Sequence, residues 1–133
     1  MTKIVVDTNI LVSASFWKGN PYKIIELAAQ GKIKVFSSAE ILEEFARVLK
    51  RDFKTGEEEI KERIENFLEI INLVEPKIKI QEVKEDPDDD KVLEVAIEAN
   101  ADCIVSGDKH LLKIKGFKGI KIITAKEFLE MNR

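Results

Sequence analysis

Short runs of apolar residues alternate along this chain with longer stretches in which apolar residues recur every three or four positions. The first run, residues 4–6, is continuous and β-branched, which is typical of a strand buried on both faces, although periodicity alone leaves a buried helix open. Similar runs predict further strands at residues 33–36, 73–74, 101–105 and 120–124. Because strands alternate with helical stretches, the pattern predicts an α/β fold: a three-layer α/β/α sandwich with a mainly parallel central sheet.

Helical spacing of apolar residues and local capping signals predict the helices. Pro21 suits the first turn of one helix, which ends at Gly31, and the hydroxyl of Ser37 or Ser38 can cap the next. Further helices are predicted at residues 57–71, after the acidic run 85–90, and at the end of the chain. The less regular segments are residues 10–17, which continue the first apolar run; 18–21, an exposed loop; 78–83, an edge or extended segment; 111–112, a short turn; and 116–119, a loop.

Length and composition favour one globular domain that covers residues 1–133. With 44% apolar residues, the chain is too hydrophobic for a disordered protein. Cys103 is the only cysteine and has apolar neighbours, so we expect a buried structural thiol and a reducing compartment. No leader pattern and no apolar stretch near the roughly 18 residues that span a bilayer are present, so we expect a cytoplasmic protein without a membrane segment. Abundant lysine, glutamate and isoleucine with little glutamine resemble the composition of proteins from thermophiles.

Four acidic residues are the candidate functional residues. Asp7 and Asp108 each follow a strand that is predicted to be buried, and parallel pairing would place both at one edge of the sheet. Asp90 lies in or just before the first turn of the helix that precedes the Asp108 strand, so it reaches the same edge if that helix begins there. Glu44 lies at the margin of the apolar stripe of its helix, and we favour it over Glu43, which suits a surface ion pair.

Clustered carboxylates raise one another's pKa values, so their convergence requires either protonation or a bound cation. Carboxylate oxygens select Mg²⁺ or Mn²⁺. With no histidine or thiolate cluster zinc is disfavoured, and His110 is expected at the surface or in a cap. Mg²⁺ keeps several waters and leaves positions for a phosphate, so the chemistry expected is phosphodiester hydrolysis by a metal-activated water. Asn9 and Ser106 could hold the ligands or the phosphate by hydrogen bonds.

Each acid also has a purely structural interpretation. Asp7 could simply cap or turn the chain, and Asp90 and Asp108 could cap the helices that follow them. The neighbouring acids are interpreted as solvated residues that favour a helix start, at Asp88 and Asp89, and as a turn residue, at Asp86. The metal site is preferred because it accounts for all four candidate acids together.

These motifs resemble the PIN domain over nearly the whole chain. The resemblance is carried by four segments: IVVDTN at residues 4–9, SAEILEEFARVL at 38–49, DPDDD at 86–90 and CIVSGDKHLL at 103–112. Each motif is weak alone, but the four in this order and spacing are specific. The chain looks most like the short single-domain PIN proteins that are toxins of toxin–antitoxin pairs, related to the VapC ribonucleases.

The resemblance implies an endoribonuclease that uses Mg²⁺ (or Mn²⁺) and has RNA as its substrate. It implies a catalytic and metal-binding set of acids with two supporting residues: Asp7, Glu44, Asp90 and Asp108, supported by Asn9 and Ser106. Ser106 stands where the family often has threonine, a difference that keeps the hydroxyl. A homodimer and a small antitoxin protein are the partners that the resemblance implies.

Basic and aromatic residues near these acids are candidate RNA contacts. The net charge of −3 argues against a generally polyanion-binding surface, but local basic patches can still occur. The candidate cations are Arg47, Lys50, Arg51 and Lys109, with Lys54 and Lys113 close by, and their alternative role is solubility or ion pairing. Phe16 and Trp17 could stack a base, although burial in the core or in a dimer interface is preferred.

Two rival functions remain at this point. The first is a PIN-fold module that binds RNA or a protein partner without physiological nuclease activity, and the second is a housekeeping RNA-processing nuclease. A phosphatase of the haloacid-dehalogenase type also begins with an acid at a strand end. It requires a second aspartate two residues later, where this chain has Asn9, so this class is set aside.

Overall fold

The computed structural model describes residues 1–80 and 87–132, with residues 87 and 88 described by their backbone alone. This part of the chain contains six strands: β1 (Lys3–Val6), β2 (Lys34–Ser37), β3 (Ile71–Leu73), β4 (Cys103–Val105), β5 (Gly116–Phe117) and β6 (Ile120–Ile123). They form one sheet in the order β3-β2-β1-β4-β6-β5. All neighbouring pairs are parallel except β5 and β6.

Helices cover both faces of this sheet. They are α1 (Thr8–Phe16), α2 (Asn20–Ala29), α3 (Ala39–Phe53), α4 (Glu57–Leu68), α5 (Pro87–Ala99), α6 (Lys109–Ile114) and α7 (Ala125–Met131). Helix α5 packs across β1, β2 and β4, while α2 contacts β2 and α7. The predicted three-layer α/β/α sandwich with a mainly parallel sheet is therefore confirmed. Among the described residues, no helix is long and apolar enough to cross a membrane.

The two central strands carry the core because their side chains are buried on both faces. Val5 of β1 pairs with Ile104 of β4, and both are fully buried. Cys103 begins β4 as the buried thiol that its apolar neighbours predict, and burial raises the pKa of this thiol to about 11. These continuous apolar runs are the pattern expected of strands covered on both sides.

Three segments differ from the predicted pattern. Residues 10–16 form most of α1 and Trp17 follows its last residue, because the carboxylate of Asp7 caps a helix that starts directly after the first strand. Residues 111–112 lie within the short helix α6. Residues 116–119 form β5 and the tight turn that leads into the antiparallel strand β6, and Gly119 in this turn has a φ of +83°. In each case a cap or a turn outside the apolar pattern determines the local structure.

The predicted edge or extended segment is not a strand in its described part. Instead, backbone N–H groups of Lys77 and Ile80 donate to the carboxylates of Glu98 and Glu94, at 3.1 and 2.9 Å. Side chains of α5 thus hold this segment in place of a neighbouring strand. Val83 and the start of the acidic run, Glu85 and Asp86, lie outside the described residues.

Candidate functional site

The order of the strands creates a crevice between β1 and β4. From β1 the chain passes to β2 and β3 on one side, then returns to place β4 on the other side of β1. Ligands of open α/β sheets bind at such a reversal, outside the carboxyl ends of the strands. Val6 and Val105 are register partners, so Asp7 and Ser106 follow two neighbouring strands at this edge.

Asp7 is buried at this edge, with 3% of its surface exposed. Its Oδ1 atom accepts a hydrogen bond from the backbone N–H of Ile10 at 2.9 Å, which caps α1. Its Oδ2 atom accepts a hydrogen bond from the hydroxyl of Ser106. Asp7 therefore caps a helix, as its structural interpretation allowed, and it also lines the crevice.

Ser106 and Asp108 form a second capped turn after β4. The Oγ atom of Ser106 accepts a hydrogen bond from the backbone N–H of Asp108 at 2.9 Å. Asp108 in turn caps α6, because its Oδ1 atom accepts from the backbone N–H of His110 at 2.7 Å. The two strand-end acids are thus connected through one buried hydroxyl.

A cleft of about 250 Å³ opens at this point. It is lined by Asp7, Thr8, Asn9, Glu44, Arg47, Val48, Arg51, Asp89, Val92 and Asp108. Three of the four predicted acids and the predicted supporting residue Asn9 therefore face one space. Glu44 is half-buried on α3 while Glu43 is exposed, as the position of each relative to the apolar stripe predicts.

Of the acids at the start of α5, the one that lines the cleft is not the one that the sequence predicted. Asp89 was expected to be solvated, but only 7% of its surface is exposed and it lines the cleft beside Val92. Asp90 is also buried, with 6% exposed, yet it is not part of the lining. Helical spacing explains the lining, because Asp89 and Val92 are three residues apart and share a face. The side chain of Asp88 lies outside the described part of the chain.

Burial raises the pKa of Asp7 above its ordinary value, and the nearby carboxylate of Asp108 raises it further. Hydrogen bonds from Ser106, Ile10 and Gly107 act in the opposite direction, because they stabilise the charged form. A cation in the cleft would stabilise the same charged form.

The donor atoms of the cleft suit a hard cation. The lining residues offer carboxylate oxygens and contain neither histidine nor cysteine, which favours Mg²⁺ or Mn²⁺ over zinc. No three Asp, Glu, His or Cys side chains of residues 1–80 and 89–132 lie close enough together to enclose one ion.

The predicted RNA-contacting cations lie in different surroundings. Arg47 and Arg51 line the cleft, and Arg51 also forms a bidentate pair with Asp52 at 2.8 and 3.0 Å. Lys50 faces the groove between α3 and α4, 3.9 Å from Glu57. Lys109 is exposed in the first turn of α6.

Four lining residues were missed in the sequence: Thr8, Val48, Asp89 and Val92. Val48 and Val92 could have been found by extending the helical faces of Glu44 and Asp89 by one turn. Thr8 and Asp89 carried no local signal beyond their acidic or capping neighbours.

The sequence matches the profile of the PIN domain over residues 3–110. The chain belongs to the PIN domain family. PIN domains are generally nucleases and typically use divalent metal ions, which agrees with the carboxylates that line the cleft. A comparison with curated proteins found none that matches this sequence.

Solved structures share the PIN fold at low sequence identity. The structure of VapBC2 from Rickettsia felis bound to a DNA fragment from their promoter matches with a TM-score of 0.66 and 18% identity, over 91% of this chain and 97% of that one. PAE2754 from Pyrobaculum aerophilum matches with a TM-score of 0.60 and 14% identity, over 98% of this chain and 96% of that one. At these identities the likeness concerns the fold alone.

Proposed function

We propose that this PIN domain is a metal-dependent endoribonuclease that hydrolyses RNA phosphodiester bonds. The observation that carries the proposal is the meeting of Asp7, Glu44 and Asp108 in one cleft at the carboxyl edge of the sheet. The cleft combines these acids with two arginines, so it can attract a cation and a phosphate together. Membership of a family of nucleases supports the same class of reaction.

In this proposal the acids hold the ion and the arginines hold the substrate. A bound Mg²⁺ or Mn²⁺ would lower the pKa of a bound water and offset negative charge on the phosphate. Asp7 and Asp108 at the strand ends and Glu44 on α3 would hold the ion directly or through its bound waters, and Asp90 joins this set by resemblance to the family. Ser106 orients the Asp7 carboxylate and favours its charged form, because its hydroxyl donates to Oδ2.

Arg47 and Arg51 lie on the face of α3 that carries Glu44, one and two turns further along. A guanidinium group binds two phosphate oxygens at once, so these residues orient the backbone of the RNA over the acids. The exposed pair between Arg51 and Asp52 is no obstacle, since exposed ion pairs contribute little free energy.

The test is cleavage of end-labelled RNA by the purified protein in Mg²⁺, Mn²⁺, Zn²⁺ or EDTA. We expect cleavage in Mg²⁺ or Mn²⁺, none in EDTA, and a loss of at least about 100-fold for Asp7→Asn or Asp108→Asn. Asp102→Asn is the matched control, because Asp102 precedes β4 and contacts Lys3 at the opposite edge of the sheet. Equal metal-stimulated cleavage by wild type and Asp7→Asn would contradict the proposal. Salt-sensitive RNA binding without metal affinity would indicate the binding module instead.

We further propose that the protein is the toxin of a toxin–antitoxin pair, inhibited by a small antitoxin. The support is the fold shared with the structure of VapBC2 bound to a DNA fragment from their promoter. Induced expression is expected to arrest growth of a bacterial host, whereas Asp7→Asn should not. Co-expression of a small neighbouring gene should relieve the arrest, and the absence of any arrest would favour a housekeeping nuclease.

A homodimer is the assembly we propose for the active protein. One chain has a mass of 15.2 kDa, so light scattering after size exclusion distinguishes a dimer from a monomer directly. A mass equal to one chain across the concentrations used for the nuclease assay would contradict it.

A further inference from the structure

Three aromatic rings form a compact patch outside the cleft, at the ends of α1 and α3. Phe16 and Phe53 are stacked, with ring centroids 4.7 Å apart, and Trp17 contacts both edge-on at 5.8 and 6.3 Å. We call Phe16, Trp17 and Phe53 the aromatic patch. Trp17 is 58% exposed and Phe53 is 39% exposed, although aromatic rings are usually buried in a domain of this kind.

A guanidinium group fixes the inner ring of the patch. The Cζ atom of Arg63 lies over the ring of Phe16, 4.7 Å from its centroid. Arg63 also donates to the backbone carbonyl of Ser15 at 2.8 Å and pairs with Glu59 at 2.9 Å. Phe16 is therefore held by α1, α3 and α4 together, and the outward surface of the patch consists of Trp17 and Phe53.

The patch lies one helix length from the acids. Thr8 and Glu44 line the cleft, and from them the chain continues to Phe16 at the end of α1 and to Phe53 at the end of α3. Each path covers eight or nine residues, which corresponds to about 13 Å at the rise of an α-helix. The two helices contact each other, and the rings of their last residues, Phe16 and Phe53, are stacked.

Cations lie both in the cleft and next to the exposed rings. Arg47 and Arg51 line the cleft on α3. Lys54 directly follows Phe53, and Lys18 directly follows Trp17, and both lysines are exposed. Aromatic rings that stack bases, beside cations that track the phosphates, are the combination that binds single-stranded nucleic acid.

The same charges disfavour a second copy of the chain as the occupant. A two-fold interface centred on the patch would bring Lys18 and Lys54 towards their own copies. The nearby acid Asp52 interacts with both Arg51 and Lys54, so its single negative charge offsets only part of this repulsion. RNA, in contrast, brings both a base for each ring and a phosphate for each lysine.

We propose that Trp17 and Phe53 form a base-stacking platform for single-stranded RNA, about two to four nucleotides from the bond that is cut. This inference rests on the proposed nuclease function and defines its substrate as unpaired RNA that extends from the cleft to the patch. The rings position the strand and take no part in the reaction itself.

Trp17 is the only tryptophan of the chain, so its fluorescence reports directly on the platform. The first experiment titrates the wild type in EDTA with single-stranded RNA of about twelve nucleotides, a length within the range of known single-strand sites. We expect saturable quenching by this RNA, and little quenching by inorganic polyphosphate or by a strand that is abasic at the platform position. A labelled RNA that binds by anisotropy without quenching would overturn the proposal. An emission change that depends on protein concentration without RNA would overturn it in favour of a second copy.

The second experiment separates the platform from the chemistry. Trp17→Ala and Phe53→Ala are expected to raise KM for the long RNA about 5- to 100-fold with kcat unchanged, and to leave cleavage of a dinucleotide unaffected. Trp17→Phe should restore part of the affinity, because it keeps a ring. Leu73→Ala is the control, since Leu73 is an exposed apolar residue on the edge strand β3.

The two experiments together show whether the nuclease function or the base-stacking platform is wrong. Wild-type protein that quenches with RNA but cuts none contradicts the nuclease function and leaves the platform standing. Wild-type protein that cuts RNA, with both alanine variants unchanged in KM, overturns the platform and leaves the nuclease function standing.

Discussion

The hydroxyl of Ser106 donates a hydrogen bond to the Oδ2 atom of Asp7, joining two residues that are 99 positions apart in the chain. The pair exists because β1 and β4 are neighbouring parallel strands, and the residues that follow them emerge side by side. The same Oγ atom accepts the backbone N–H of Asp108 at 2.9 Å. One buried side chain thus sets the relative position of both strand-end acids.

Ser106→Ala is expected to lower nuclease activity by about 10- to 100-fold, the range typical of residues that orient metal ligands. The hydroxyl lowers the pKa of Asp7, so its removal should raise that pKa further. The acid limb of the pH–activity profile should therefore move to higher pH. Cleavage rates measured across a pH series in saturating Mg²⁺ check both effects.

Ser106→Thr is the matched control, because threonine keeps the hydroxyl that bonds to Asp7. It should retain most activity and the wild-type pH profile. Loss of activity in the alanine variant without a shift of the acid limb would mean that Ser106 acts through folding and not through Asp7.

Asp7→Asn is expected to increase stability progressively as the pH rises, when measured in EDTA. The folded state raises the pKa of Asp7 above its ordinary value of 3.8, so the stability that this carboxyl contributes is fully present below that value. It is lost as the pH rises through the folded pKa. Asparagine keeps the oxygen that caps α1 and does not ionise. Urea denaturation from about pH 4 to pH 8 should show a growing difference in the free energy of unfolding.

Asp52→Asn gives the contrasting control for this pH series. The pKa of Asp52 is lowered by its hydrogen bonds with Arg51, so the charged form of this exposed acid is favoured by folding. Neutralising it should bring no gain at high pH. A gain equal to that of Asp7→Asn would point to net charge, rather than burial of Asp7, as the cause.

The two buried acids at the start of α5 can be separated by single substitutions. Resemblance to the family assigns the third metal-binding acid to Asp90, so Asp90→Asn should reduce cleavage by at least about 100-fold. Asp89 lines the cleft, and Asp89→Asn should reduce cleavage by roughly tenfold through the loss of a nearby negative charge. Metal titration of each variant by calorimetry accompanies the cleavage assay. The reverse ranking would assign the metal-binding role to Asp89.

Glu94→Ala is expected to lower the free energy of unfolding by about 1–3 kcal/mol. Only 5% of Glu94 is exposed, and its Oε2 atom accepts the backbone N–H of Ile80, which would lose its partner. Glu94→Gln keeps an acceptor oxygen and should lose less. Glu98→Ala is a second comparison, because its hydrogen bond to Lys77 is exposed to solvent. Chemical denaturation of the three variants checks the order, and equal losses for Glu94→Ala and Glu94→Gln would contradict this role of the hydrogen bond.

Much of the fold was predictable because its signals are local. The apolar run before Asp7 predicted β1, and the spacing from Ile41 to Leu49 predicted the buried face of α3. Ser38, one of the two serines predicted as the cap of that helix, does cap it. Helix α1 was not predicted, because its apolar residues continue the strand without a period that separates the two. Its start depends on the cap from Asp7, a feature that also served as the candidate acid.

By itself, the sequence determined which acids follow buried strands, because the end of an apolar run marks the end of the strand. Only the tertiary structure decided which strands are neighbours, and so joined Ser106 to Asp7. It also turned Asp89 towards the cleft and brought Trp17 against Phe53. The physical reason is range: capping and periodicity act within a few residues, whereas these contacts join segments far apart in the chain and depend on how the helices pack on the sheet.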